Sequence, residues 1–449
     1  MTIRIGSGSA WWGDRISPAK DNADKGRLDY LCFETMAEAT ISAAQVRKRR
    51  DPDFPGYDTW LDDRMKAVLP GCIENKTKII SNQGWINPNG AAERIIYWLK
   101  KMGIHGVKVA AINGSLITED VLSLTDTILE TGERTHSLED KIVSAEVYQG
   151  AEPVVQALSK GAQIVVTGRI ADPSIFAAPM MFEYGWGAGD FMQLGLANGI
   201  GHLMECGAQV TGGYFADPGL KDVPRPWDLG FPIAEVHKNG TAVITKLEGT
   251  GGVVNAMTIK EQLLYEVHDP YNYITPDVIV DFSTTCIEEI AENRVMVSGI
   301  SGKPRTPTLK VSIGCEEGFI GEDMFFYAGE GALKRARLAE TILRERFKIV
   351  GLKAEELRID YLGLNAIHGD MTPEIKHEPY EVAVRVAART VTREEAMKVG
   401  REVDGMAVSG VGMTGKRVPH QDRTREIIGV WSSLVDRNKI SPSIKLYES

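Results

Sequence analysis

Along its first half the chain alternates short apolar runs with amphipathic stretches. IRIGS (3–7), DYLCF (29–33), KIISN (78–82), VKVAAI (107–112) and QIVVTG (163–168) are continuous and rich in β-branched residues, which predicts strands covered on both faces. Between them, apolar positions recur at helical spacing over 36–49, 89–103, 151–161 and a long segment near 188–207. Strands alternating with helices of this length predict an α/β fold: a Rossmann-like, mostly parallel sheet with helices on both faces. Beyond residue 285 the texture changes. RVMVSGI, TLKVSIG, DMFFYAG, RIDYLGL, EVAVRVAART, GMAVSGVG and EIIGVWSSLV read as strands, and only two long helical patterns, 330–351 and 393–405, interrupt them. That order predicts a packed α+β domain. We therefore expect an α/β domain over 1–285, with strand-end loops forming a cleft, and an α+β domain over 286–449.

Several predicted strands end in polar or small residues: GSGS, SNQG, INGS and TGR. In open α/β sheets ligands gather beyond the C-terminal strand ends, so these loops are the first place to look for chemistry. Ser7, Gly8 and Ser9 expose backbone amides and hydroxyls that suit an anion, or else form a structural turn; their spacing is not that of a dinucleotide fingerprint. Glu34 stands where a strand hands over to a helix, with Glu38 one turn later. It reads either as a general base or metal ligand, or as a favourable charge at a helix start. Asn82 and Asn113 sit at strand ends with amide groups aimed at the expected cleft.

TGRIADP supplies the strongest local candidates. Arg169 suits bidentate capture of a carboxylate or phosphate, and Asp172 suits proton transfer. The competing reading is a capped helix and a surface ion pair. If 192–208 is helical, His202 and Glu205 share a face, while Cys206 points elsewhere; a buried, hydrogen-bonded core histidine is the plainer alternative. Tyr214 follows in a tight loop. Thr250, Gly251 and Gly252 form a glycine-rich loop feeding a helix, fit to cradle a phosphate or simply to turn. In the second half, His368 and the basic loop with Lys416, Arg417 and His420 read as a flap over an anion or as a surface hairpin.

Composition removes several function classes. Of 449 residues, 43% are hydrophobic and 25% charged, and the net charge of −10 has no long basic block to set against nucleic acid. The 5 cysteines form no CxxC pair, which fits reduced thiols and gives no sign of a disulfide framework or zinc ribbon. No signal peptide, membrane span, P-loop or GxSxG serine elbow is found, so the expectation is a cytoplasmic protein that binds neither membrane nor nucleic acid.

Taken together, IRIGSGSAWWGDR, LDYLCFETMAEATI, KIISNQGWINPNGAA, AEPVVQALSKGAQIVVTGRIADPSIFAAPM, GHLMECGAQVTGGYFADPG and YLGLNAIHG resemble the acyclic terpene utilisation (AtuA-like) family. The likeness runs from residue 3 to about 435, in a short form without the C-terminal extension of longer members. The resemblance implies a place in the catabolism of branched isoprenoid acids, which proceeds through acyl-CoA thioesters. The expected activity is a hydratase or lyase acting on a carboxylic acid or its acyl-CoA thioester. Glu34, Asp172, His202 and Glu205 would move protons, and Ser7, Gly8, Ser9, Asn82, Asn113, Arg169, Tyr214, Thr250, Gly251 and Gly252 would bind substrate. No cofactor or metal is expected, coenzyme A entering only as a substrate moiety, and we expect a homo-oligomer. A metal-assisted hydrolase and a non-catalytic partner subunit of an acyl-CoA carboxylase or ligase pathway are the alternatives.

Overall fold

The computed structural model describes residues 1–374, 377–416 and 423–449. The chain opens with β1 (Thr2–Ser9), α1 (Ser17–Lys25), β2 (Tyr30–Phe33), α2 (Thr40–Arg50), α3 (Leu61–Glu74), β3 (Lys78–Ser81), α4 (Pro88–Lys101) and β4 (Lys108–Asn113). It continues through the short α5 (Val121–Leu124), β5 (Ile142–Val147), α6 (Glu152–Ser159), β6 (Ile164–Thr167), α7 (Asp172–Tyr184) and α8 (Phe191–Glu205). Then come β7 (Pro232–His237), β8 (Thr241–Lys246), α9 (Ala256–Leu264), β9 (Tyr273–Ile274), β10 (Ile279–Asp281), β11 (Cys286–Ala291), β12 (Arg294–Ser298) and β13 (Ser301–Lys303). After β14 (Thr308–Ala328) follow α10 (Ala332–Ile349), β15 (Glu356–Leu362), β16 (Glu381–Thr390), α11 (Arg393–Ser409), β17 (Gly415–Lys416), β18 (Thr424–Asp436) and β19 (Ser443–Glu448).

The fold is mixed α/β, built on a ten-stranded sheet ordered β11-β12-β8-β7-β1-β2-β3-β6-β4-β19. Its centre, β1 to β4, is parallel as expected. Both flanks are antiparallel, so the sheet is mixed where the sequence suggested a mostly parallel one. One reason is visible at residues 238–240: β7 and β8 are joined through Asn239-Gly240, with Gly240 at φ +89°, a tight hairpin that can only link antiparallel strands. The strand order also lacks the reversal beside β1 that marks a dinucleotide-binding sheet.

Strand periodicity divides the core. Ile3, Ile5, Cys32, Ile80, Ala110 and Val165 point into the layer that holds α6, α7 and α8. Leu31, Phe33, Ile79, Val109, Ala111 and Val166 point the other way, onto α1, α3 and α4. Helices α7 and α8 lie unusually close because glycine stands at the contact. A Cβ on Gly201 would come within 2.3 Å of the Pro173 carbonyl oxygen. This crossing fixes the start of α7 against the end of α8, which is where the site lies.

Two compact units emerge, Met1–Gly314 with Val430–Ser449, and Cys315–Gly429. The boundary thus falls later than the change of texture at 285, and the C-terminal segment belongs to the first unit. The reason is structural: β11 and β12 extend the large sheet at one edge and β19 at the other. TLKVSIG and DMFFYAG are parts of one strand, β14. GMAVSGVG, expected as a strand, is largely the last turns of α11, whose apolar positions Val399, Val403 and Met406 continue one buried helical face. Within the second unit, β15, β16 and β14 are antiparallel and carry a core with α10 and α11. Among the described residues, no helix is long and apolar enough to cross a membrane.

Candidate functional site

β6 ends at Thr167, and the chain turns through Gly168-Arg169-Ile170-Ala171 into α7, whose first residue is Asp172. Asp172 makes no side-chain cap to the helix. Instead its carboxyl lines a cavity of about 520 Å³ together with Glu38, Tyr148, Glu205, Glu266, Tyr273 and Lys310. One third of the side chain, 33%, is open to this space, and the carboxyl has a buried side as well. Oδ1 is buried, has no hydrogen-bond partner among the described residues and lies 3.6 Å from Arg169 Nη1.

Arg169 sits behind Asp172 and does not line the cavity. Its Nη2 donates to the Ala37 carbonyl oxygen at 2.7 Å, and Nε faces Glu146 Oε1 at 3.4 Å. The guanidinium carbon lies 4.7 Å from the centre of the Tyr148 ring. Its backbone amide donates to Ser115 Oγ at 3.2 Å, which fixes the turn. A fully buried guanidinium engaged in this way is a counter-ion to the acidic groups around it and is not open to the cavity. The cation that does line the cavity is Lys310, with Nζ 5.0 Å from the Tyr148 ring centre.

The end of α8 contributes the second half of the site. His202 Nδ1 and Glu205 Oε1 are 2.8 Å apart, as the i, i+3 spacing predicts. His202 is buried against the Tyr273 and Phe282 rings, and its Nε2 has no partner; Glu205 Oε2 has none either. Burial drives both groups toward neutrality. It lowers the histidine to about 4 and raises Glu205 well above the carboxylate range, with the Glu266 charge adding to the rise. Burial likewise pushes Asp172 up to about 8 against the pull of Arg169, with Glu205, Glu38 and Glu266 adding to it. Glu146 is raised to about 7, again by burial, with Arg169 opposing. The Cys206 thiol is raised by burial and by Glu205, which leaves little thiolate for nucleophilic attack.

Glu34 lies beside this group, and burial and the Asp172 charge raise its carboxyl well above the ordinary range. Its Oε1 accepts from Met36 N at 2.5 Å and from Asn82 Nδ2 at 3.0 Å, while Asn82 Oδ1 accepts from Thr35 N at 2.8 Å. Asn82 therefore holds the Glu34 loop and does not reach a cleft. Nor do Glu34 and Glu38 share a helical face, since α2 begins only at Thr40. Ser7, Gly8 and Ser9 are absorbed into β1 and buried: Ser9 Oγ donates to the Glu34 carbonyl oxygen at 2.5 Å, and Gly8 packs on the Phe33 ring.

The remaining predicted binders lie apart from the Asp172 cavity. Asn113 donates to Asn89 Oδ1 at 3.3 Å, and Tyr214 is exposed and stacks edge-on to Tyr265. Thr250 and Gly252 line a different cavity of about 470 Å³ with Lys246 and Asn255. The amides of Gly251 and Gly252 already donate to the Asp228 and Pro224 carbonyl oxygens, so the loop has no free amide cradle at these positions. Lys416 pairs with Asp404 and Asp323; Arg417 and His420 lie outside the described residues. Among the described residues, no three His, Cys, Asp or Glu side chains converge into a metal-binding group.

Sequence reasoning missed Glu146, Tyr148, Glu266, Tyr273 and Lys310. One signal was present: Glu146 is a lone charge in IVSAEV, a strand buried almost throughout. A charge in such a strand needs a partner, and Arg169 is that partner.

Comparison with known proteins agrees with the sequence motifs. A family model described as "Acyclic terpene utilisation family protein AtuA" matches residues 3–446. A search of curated proteins finds no match.

Proposed function

The chain belongs to the acyclic terpene utilisation (AtuA) family, and on that premise we propose that it is a catabolic enzyme, a hydro-lyase that moves protons on a carboxylic acid or its acyl-CoA thioester. The observation that carries this reading is Asp172, whose carboxyl opens onto a cavity while burial holds its proton up to about pH 8. A carboxylic acid that keeps its proton at neutral pH is a general acid. The same cavity contains the Glu38 and Glu266 carboxylates, which suit the complementary task of taking a proton from water.

In the hydration direction, an α,β-unsaturated acyl group enters with its carboxylate or thioester oxygen drawn toward Lys310. A wall carboxylate takes a proton from water as the water oxygen bonds to the β-carbon, and Asp172 gives its proton to the α-carbon. The proton taken from water returns to Asp172 to close the cycle. The His202–Glu205 pair, both groups driven toward neutrality by burial, flanks the acid, and Arg169 supports the ionised state of Asp172 between the two transfers. The test is turnover of unsaturated branched acids and their coenzyme A thioesters by the wild-type protein and by Asp172→Asn. The reading predicts a fall in kcat of about 10²–10⁴-fold in the variant. Full turnover by Asp172→Asn would overturn it.

A further inference from the structure

The wall that bounds the Asp172 cavity has another side. Tyr148, Pro276 and Thr306 line the first cavity, while their chain neighbours Gln149, Asp277 and Arg305 line a second of about 240 Å³; Leu309 lines both. Arg437 also lines the second cavity. Its Nη2 donates to the carbonyl oxygens of Pro276 and Thr306 at 2.7 and 3.2 Å, but no carboxylate lies within ion-pair distance among the described residues. Among the described residues, Arg305 pairs only with Glu152, at 3.7 Å, and 61% of that glutamate side chain is exposed. Asp277 is committed elsewhere, accepting from Ala151 N at 2.8 Å and from Ser174 Oγ at 2.6 Å. Gln149 is 4% exposed, and its Nε2 has no hydrogen-bond partner among the described residues.

Holding two guanidinium groups together, one of them half-buried, is unfavourable unless an anion completes them. Burial and the Arg305 charge hold Arg437 below the usual arginine range, only partly offset by Asp277 and Glu152. Two guanidinium forks and a buried amide donor match a phosphate group, which brings about two negative charges and several acceptor oxygens. A free branched carboxylic acid whose single carboxylate lies at Lys310 has no second anionic group for this cavity.

We propose that the cavity lined by Arg305, Arg437 and Gln149 receives a phosphate group of the same ligand whose acyl end occupies the Asp172 cavity. The substrate is then carried on a phosphorylated carrier, the class that includes coenzyme A thioesters, and is not the free acid. This assignment rests on the acid–base reading of the neighbouring cavity. Leu309, which lines both cavities, stands where such a ligand would cross, its carbonyl end toward Lys310 and Asp172 and its phosphate toward the arginines.

Isothermal titration of the whole protein with coenzyme A, inorganic pyrophosphate and a free branched acid tests the assignment. Wild type and Asp172→Asn should bind coenzyme A and pyrophosphate alike, and Arg305→Gln and Arg437→Gln should bind both about tenfold or more weakly. Because Arg437 also holds two carbonyl groups, Arg305→Gln is the safer variant, and its circular dichroism should match wild type. Equal binding by wild type and both arginine variants overturns the proposal, as does pyrophosphate binding without coenzyme A binding. The two readings fail separately. Normal turnover by Asp172→Asn with lost coenzyme A binding by Arg305→Gln would remove the acid–base role and keep the phosphate site. The reverse pattern would remove the phosphate site alone.

Discussion

At the scale of single residues, the site is a set of ionisable groups kept neutral by burial. Asp172, Glu146 and Glu205 all have folded-state pKa values above their ordinary ones, so between about pH 4 and 8 the native protein binds protons that the unfolded chain has released. Their contribution to stability is therefore full below about pH 4 and is lost progressively as pH rises from there to the folded values of about 7 and 8. His202 acts in the opposite sense: with its pKa lowered to about 4, it loses stability as pH drops from 6.5 toward 4. Melting curves across this range should show Asp172→Asn falling less steeply than wild type above pH 6. An unchanged slope would mean that the aspartate titrates normally. TGRIAD stood out by its residue types, and the structure opens Asp172 to a cavity while it buries Arg169 behind it. Arg169 is a buried counter-ion because Glu146, 23 positions away in the sequence, comes to lie beside it. A tertiary pairing of that kind leaves no local pattern.

At the scale of elements, the site depends on the α7–α8 crossing. Gly201 allows His202 and Glu205 to approach Asp172, since a Cβ there would strike the Pro173 carbonyl. Gly201→Ala should destabilise the fold by about 1–3 kcal/mol, as overpacking does. It should also reduce turnover by more than an equally destabilising substitution away from the crossing. Urea denaturation and kcat measured together on the two variants check this. The helical spacing of His202 and Glu205 was readable from sequence, and so was the strand leading to Arg169. The glycine-rich loops were less so. Turn residues look alike whether their amides face a ligand or a carbonyl, and at Gly251 and Gly252 the carbonyls were supplied by Asp228 and Pro224.

At the scale of the whole molecule, alternating strands and helices correctly indicated an α/β fold, and the parallel centre of the large sheet follows from continuous apolar strands. The antiparallel flanks and the return of the C-terminus were not legible, because edge pairing depends on partners remote in sequence. β19 pairs with β4 through Ser443–Asn113 to Glu448–Lys108 and closes that side of the sheet. Deleting residues 443–449 should expose the β4 edge, lower Tm and promote aggregation at unchanged secondary-structure content; a truncated protein as soluble and heat-stable as wild type would show that the strand is dispensable. Arg305 and Arg437, far apart in the sequence, both belong to the first unit. Ligand binding there should raise Tm with concentration as mass action requires.

The proposed chemistry requires a proton held by Asp172 at neutral pH. A pH titration of the carboxyl resonance by ¹³C NMR, assigned by its disappearance in Asp172→Asn, measures this without knowledge of the substrate. The predicted midpoint is about 8. A midpoint at the ordinary aspartate value, about 4, would leave the cavity without its acid and contradict the proposed chemistry.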